Sequence, residues 1–207
     1  MNENQIRTIE SYNKTAEDFM KKIGTLNNYN STYDYLISKI NKNDDILDLA
    51  CGPGQISKYI AERIKVHITG VDLSSEMLRL ARENIPGGTF IEDSIIRFQP
   101  GKRFNAVVIG FGIPYLKKEE VRECIENSVS LLADDGHIYV SFMEGKNEGF
   151  EKTSFGGNND FYLYYHTKTE VTELLRKNGI MVIKEFILDY TEPDGEITKD
   201  IILIGKK

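Results

Sequence analysis

Cysteine and histidine are scarce in this 207-residue chain, which has only Cys51, Cys124 and three dispersed histidines. Two thiols cannot build a disulfide framework and three scattered imidazoles have no metal-ligand spacing, so a reducing compartment and no metal site are expected. Nowhere does an apolar run approach the roughly 18 to 20 residues that a bilayer crossing needs. The polar stretch 1–7 also lacks the form of a signal peptide, and the expected setting is cytoplasmic, with no membrane partner. A basic stripe is missing too: 26 Lys and Arg are scattered among 32 Asp and Glu, for a formal charge of -6. Such a surface repels phosphate backbones, which argues against nucleic acid as a partner. Internal repeats, low-complexity tracts and linkers are absent. What is present, 40% hydrophobic and 28% charged residues, is enough for a core. The expectation is therefore one globular domain over 1–207, with 1–43 as an N-terminal helical cap, in a monomer or homodimer.

Apolar positions Ile6, Ile9, Tyr12, Ala16, Phe19, Met20 and Ile23 recur at three- and four-residue spacing, predicting an amphipathic helix that Gly24 can end. A second helix is expected from a Ser31 cap to Ile40. Strands and helices then alternate: strand 46–50, helix 56–64, strand 66–72, a helix capped by Ser74 or Ser75 and running to Ile85, strand 89–92, strand 104–109, helix 118–132 and strand 137–143. Residues 144–160 are rich in Gly, Asn and Lys and read as an insertion or mobile loop. Beyond them come an aromatic strand 161–166, a helix 169–178, a strand 180–190, a turn at Glu192-Pro193-Asp194-Gly195 and a returning strand 197–205. The predicted class is α/β: a Rossmann-like three-layer αβα sandwich around a seven-stranded, mostly parallel sheet that ends in an antiparallel C-terminal hairpin.

The chemistry concentrates at residues 46–55, where a strand ending Asp48-Leu49-Ala50 breaks into Cys51-Gly52-Pro53-Gly54 and a helix begins. Glycines allow close approach of a ligand to the backbone, and N–H groups there favour a carboxylate or phosphate. Eighteen residues beyond Gly54, at the end of the second strand, stands Asp72, placed to accept hydrogen bonds from ribose hydroxyls. A nicotinamide dinucleotide is the first rival, but its fingerprint needs Gly or Ala where Ser57 stands. Asp48, moreover, would face a pyrophosphate unfavourably and suit a cationic amino group.

At these residues the sequence resembles the class I, seven-stranded S-adenosylmethionine-dependent methyltransferase superfamily, over roughly residues 12–207. The likeness implies that Asp48, Ala50, Gly52 and Gly54 surround the methionine part of S-adenosyl-L-methionine and that Asp72 holds the ribose. It implies that Leu73 and Met77 flank adenine and that Asp93, with Ser94 and Ile95, meets the adenine amino group. Gly110 and Phe111 would line the floor near sulfur, with Tyr12 folded over the cofactor.

The implied reaction passes a methyl group to an O, N or C atom of a small molecule and leaves S-adenosyl-L-homocysteine. Alignment supplies much of such catalysis, and the candidates for relaying a proton are Tyr115, Tyr165 and His166, with Tyr115 and His166 taken as the catalytic pair. The Gly112-Ile113-Pro114-Tyr115 stretch departs from the motif of the family's amide-methylating enzymes. Asp134 and Asp135 read as a turn, not as a metal-binding cluster. A nicotinamide-dependent oxidoreductase and a non-catalytic S-adenosylmethionine-binding protein remain the alternatives.

Overall fold

Alternation of short β-branched runs with amphipathic segments is realised in the computed structural model, which describes residues 1–145, 147–153, 155–191 and 197–207. Two helices come first, α1 (Glu3–Gly24) and α2 (Asn30–Ile37). The alternating region follows as β1 (Asp45–Leu49), α3 (Gln55–Ala61), β2 (His67–Asp72), α4 (Ser75–Asn84), β3 (Thr89–Glu92) and β4 (Phe104–Gly110). A 3-10 turn (Ile113–Tyr115) leads to α5 (Lys118–Leu131) and β5 (Leu132–Met143). The remainder is β6 (Glu148–Lys152), β7 (Asp160–Tyr164), α6 (Lys168–Lys177), β8 (Met181–Thr191) and β9 (Ile197–Lys206).

Seven strands form one sheet in the order β3-β2-β1-β4-β5-β9-β8. The first five are parallel, whereas β9 runs antiparallel to both β5 and β8. The expected α/β class and antiparallel ending are thus observed. The Glu192-Pro193-Asp194-Gly195 turn itself falls outside the described residues.

Side-chain alternation along β1 decides what each face holds. Leu47 and Leu49 join Val107, Ile109 and the buried side of α5 and α6 in one cluster. Ile46 packs on the other face with Val108, Leu36 of α2 and Ile60 of α3. Asp48, two residues on from Ile46, therefore points its carboxyl into this second layer, and it is 2% exposed.

Three local expectations are corrected. Segment 144–160 is not simply a loop: it contains β6, which pairs antiparallel with β7 in a separate two-stranded sheet. Its signal was hidden because one side of β6 faces solvent and carries Glu148 and Lys152. The aromatic strand therefore stands outside the main sheet, lying against α1, where Ser11 Oγ donates to the Asp160 carbonyl at 2.9 Å. Finally, Ser31 lies inside α2 and does not cap it. The helix starts earlier because the Tyr29 carbonyl accepts from both Thr32 N (2.9 Å) and Thr32 Oγ1 (2.7 Å). Ser74 does cap α4, accepting from Met77 N at 3.2 Å.

Candidate active site

The chain lays β1, β2 and β3 outward in one direction and then returns to place β4 on the other side of β1. This reversal leaves a crevice at the carboxyl ends of the central strands, where open α/β sheets bind ligands. A cavity of about 910 Å³ lies there. Its wall includes Tyr12, Asp48, Ala50, Gly52, Asp72, Leu73, Met77, Asp93, Ser94, Ile95, Gly110, Phe111 and Tyr115. Gly54 and His166, also singled out from sequence, are not part of that wall.

The backbone at this end is unusual in a consistent way. Ala50 after β1 (φ 59°) and Phe111 after β4 (φ 52°) are non-glycine residues in the left-handed region, a conformation that persists only where its surroundings impose it. Phe111 is held there because its N–H lies 3.1 Å from the Ser141 carbonyl and 3.0 Å from Ser141 Oγ. Gly54 adopts φ 82° as the residue before α3 and donates its N–H to the Cys51 carbonyl at 2.9 Å. Its part is to turn the chain.

Asp72 joins two of these turns. Its Oδ2 accepts from Gly52 N at 2.8 Å and its Oδ1 from Ser74 N at 2.9 Å. Burial raises its pKa above the ordinary carboxylate value, and the backbone N–H groups oppose that rise. Each carboxylate oxygen keeps further acceptor capacity, and Asp72 lines the cavity. That arrangement fits a pair of ribose hydroxyls.

Asp48 is the more perturbed acid. Burial pushes its pKa up from 3.8 to about 7, with Ser57 opposing and the Asp72 charge adding to the rise. The Ser57 hydroxyl donates to Asp48 Oδ2 at 2.6 Å. The residue that spoils the dinucleotide fingerprint is therefore the residue that holds this carboxyl.

Asp93 is exposed and accepts from Ser94 N at 2.6 Å, while its own N–H reaches the Asp72 carbonyl at 3.2 Å. Met77 is buried with Ala16 and Leu80, where α1 packs on α4. Tyr12 of α1 reaches over the crevice and its hydroxyl makes a very short hydrogen bond with that of Tyr115. Burial raises both phenols, Tyr115 to about 12 and Tyr12 well above its ordinary value. Tyr165 also lines the cavity and donates to Glu151 at 2.7 Å.

His166 does not join the predicted catalytic pair. It is buried, and its Nε2 lies 3.1 Å from each of the Ile113 and Leu116 carbonyls, so Nε2 carries the proton and donates to both. Burial lowers its pKa. The imidazole pins the turn that carries Tyr115, and it borders a smaller cleft of about 320 Å³ between α5 and α6.

Sequence reasoning overlooked Asn13 and Tyr29, and it used Ser57 only as an argument against a dinucleotide. Asn13 Oδ1 accepts from Ser74 Oγ at 2.7 Å, fixing α1 over the turn that holds Asp72. Tyr29 donates to buried Asp200 at 2.5 Å on the cavity wall. Only Ser57, nine residues after Asp48, offered a local signal. Among the described residues no three His, Cys, Asp or Glu side chains are grouped to hold a metal, and no helix is long and apolar enough to cross a membrane.

Known proteins resemble this chain in part of its sequence and in its fold. Residues 46–136 match the family model of a methyltransferase domain. A trans-aconitate 2-methyltransferase from Rhodopseudomonas palustris (strain BisB18) is 43% identical over 56 residues, 27% of this chain and 22% of the relative. One from Enterobacter sp. (strain 638) is 29% identical over 116 residues, 55% of this chain and 45% of the relative. The chain thus spans less than half the length of these curated relatives. The magnesium protoporphyrin IX methyltransferase of Synechocystis PCC 6803, solved with bound S-adenosylmethionine, superposes with a TM-score of 0.74 at 16% identity, covering 100% of this chain and 98% of that one. The N-methyltransferase NodS of Bradyrhizobium japonicum WM9 gives 0.72 at 14% identity, covering 99% of each chain. At these identities the likeness shows the fold. Residues 46–136 match a methyltransferase domain, and the chain has the seven-stranded fold seen in S-adenosylmethionine-dependent methyltransferases.

Proposed function

We propose that this chain transfers a methyl group from S-adenosyl-L-methionine to a small molecule. The observation that carries the reading is the convergence of Asp48, Gly52, Asp72, Gly110 and Phe111 on one cavity at the point where the strand order reverses. The donor set suits the cofactor: Asp72 offers acceptors to hydroxyls, and Asp48 offers a buried carboxyl to an ammonium group. A bare glycine at position 52 leaves the backbone accessible, since a Cβ there would meet only Phe19, at 3.7 Å. Leu73, Met77, Asp93, Ser94 and Ile95 are assigned to the adenine end, Ala50 and Gly54 to shaping the turn.

When bound, the cofactor supplies a methyl group already made electrophilic by its sulfonium. The chain's own task is then to position the acceptor and exclude water, and proximity of that kind is worth on the order of 7 to 11 kcal/mol in favourable cases. Tyr12 of α1 closes over the crevice together with Phe161 of β7, their rings 4.7 Å apart. With their pKa values raised by burial, Tyr12 and Tyr115 stay protonated at neutral pH and orient the acceptor through hydrogen bonds. His166 positions the Tyr115 turn from outside the cavity. No general base is assigned.

The same reading puts the protein in the cytoplasm, without nucleic acid partners, as a monomer or homodimer. Free, buried Cys51 and Cys124 support a reducing setting. Calorimetry tests the reading: S-adenosylmethionine and S-adenosylhomocysteine should bind and NAD should not. The opposite preference would defeat it in favour of the oxidoreductase. Cofactor binding without turnover on a broad acceptor panel would favour the non-catalytic alternative.

A further inference from the structure

Two groups of rings leave the end of β4. Phe111 directs its ring to the α2 side, where it meets the Tyr29 ring edge to face at 5.5 Å. Four residues later Tyr115 turns toward α1 and meets Tyr12 at 5.6 Å, with Phe161 at 4.7 Å from Tyr12. All five residues line the one cavity. Rings held in this way present flat, weakly polar surfaces, and aromatic ligands gain from edge and face contacts that aliphatic ones do not make.

The charged groups on the same wall point the same way. A polycarboxylate is recognised by forked guanidinium groups, and the only arginine lining the cavity among the described residues is Arg97, exposed beyond β3. Two strands, β2 and β1, separate β3 from β4. Lys152 is exposed and Lys22 lies half-buried on α1. Asp48 and Asp72 meanwhile place carboxyls on the wall of the crevice.

Resting on the methyltransferase reading, we infer that the methyl acceptor is an uncharged, flat aromatic molecule, seated at the end of β4 between the Phe111–Tyr29 rings and the Tyr12–Tyr115–Phe161 rings. Tyr29 is the specificity-determining residue on the side away from the cofactor turns. Its hydroxyl is committed to Asp200 at 2.5 Å, which fixes the ring in place.

The experiment is calorimetry on the full chain saturated with S-adenosylhomocysteine, titrated with 2-naphthol, its anionic counterpart 2-naphthoate, the saturated alcohol 2-decalol, and the linear tricarboxylate tricarballylate. The expected order places 2-naphthol at least tenfold tighter than each of the other three. Tyr29→Leu should weaken 2-naphthol by at least tenfold while S-adenosylhomocysteine affinity stays within threefold. Tyr29→Phe, which keeps the ring, should restore most of the loss. Tighter binding of either anion, equal binding of 2-decalol, or no binding of 2-naphthol to the saturated protein would overturn the inference and leave the cofactor reading standing. Failure of S-adenosylhomocysteine itself to bind would overturn both.

Discussion

Replacing Asp48 with asparagine should make the protein more stable and its cofactor binding weaker, and the size of the first effect follows from burial. In the folded chain the carboxyl titrates at about 7 instead of 3.8. Between those values the folded state holds a proton that the unfolded state has released, so the contribution of this group to stability is fully present below about pH 4 and is lost as pH rises through about 7. The whole change corresponds to on the order of 4 kcal/mol. The asparagine side chain has the same shape and no titration, and comparison with the parent chain cancels the other groups. Urea denaturation at pH 5, 6, 7 and 8, without ligand, should show the variant's advantage widening by roughly 2 to 3 kcal/mol over that range. Above pH 8 the difference should level off. Ser57→Ala removes the donor to Asp48, so it should push the end of this window to higher pH. A difference that stays flat from pH 5 to 8, or a variant less stable than the parent at pH 8, would refute the assignment of a buried, proton-holding Asp48. Because an ammonium group favours the ionised carboxyl, the same variant should bind S-adenosylhomocysteine more weakly. The parent's affinity should rise with pH up to about 7 and then stay level.

Asp72→Ala should weaken S-adenosylhomocysteine by about 1.5 to 3 kcal/mol, the scale of hydrogen bonds to a charged acceptor, and calorimetry reads it directly; unchanged affinity would remove Asp72 from the site. His166→Phe deletes the donor to the Ile113 and Leu116 carbonyls. It should cost about 1 to 3 kcal/mol in urea denaturation while cofactor affinity changes by less than twofold, and a large loss of affinity at full stability would contradict a role outside the cavity. Gly54→Ala forces a side chain into φ 82° with its Cβ 3.2 Å from Ile85 Cδ1. A loss of roughly 1 to 2 kcal/mol is expected, and a neutral result would mean that the turn relaxes out of the left-handed region.

Strands of the main sheet that are buried on both faces read as unbroken apolar runs, as in Phe104–Gly110, while the start of β5 at Leu132 was hidden by Asp134 and Asp135, which read as a turn. Periodicity failed at Glu148–Lys152, whose pairing depends on β7 and whose residues are largely exposed. Asp48, Gly52 and Asp72 stood out in sequence because they lie in or just beyond the carboxyl ends of the first two strands, where the chain reverses. His166 is ambiguous in sequence: a histidine beside aromatic residues looks the same whether its imidazole faces a substrate or, as here, two carbonyls.

By itself, the order of residues determined the alternation of strands and helices, the glycine turn after β1 and the acid at the end of β2, since each rests on contacts within a few residues of the chain. Only the tertiary structure decided that Ser57 would hold Asp48, that Asn13 would tie α1 to Ser74, and that Tyr29 and Tyr12 would reach the same cavity from different elements. Those partners lie up to 171 residues apart, as Tyr29 and Asp200 do. Packing of helices on the two faces of the sheet brings them together, and no local preference of the chain encodes that distance.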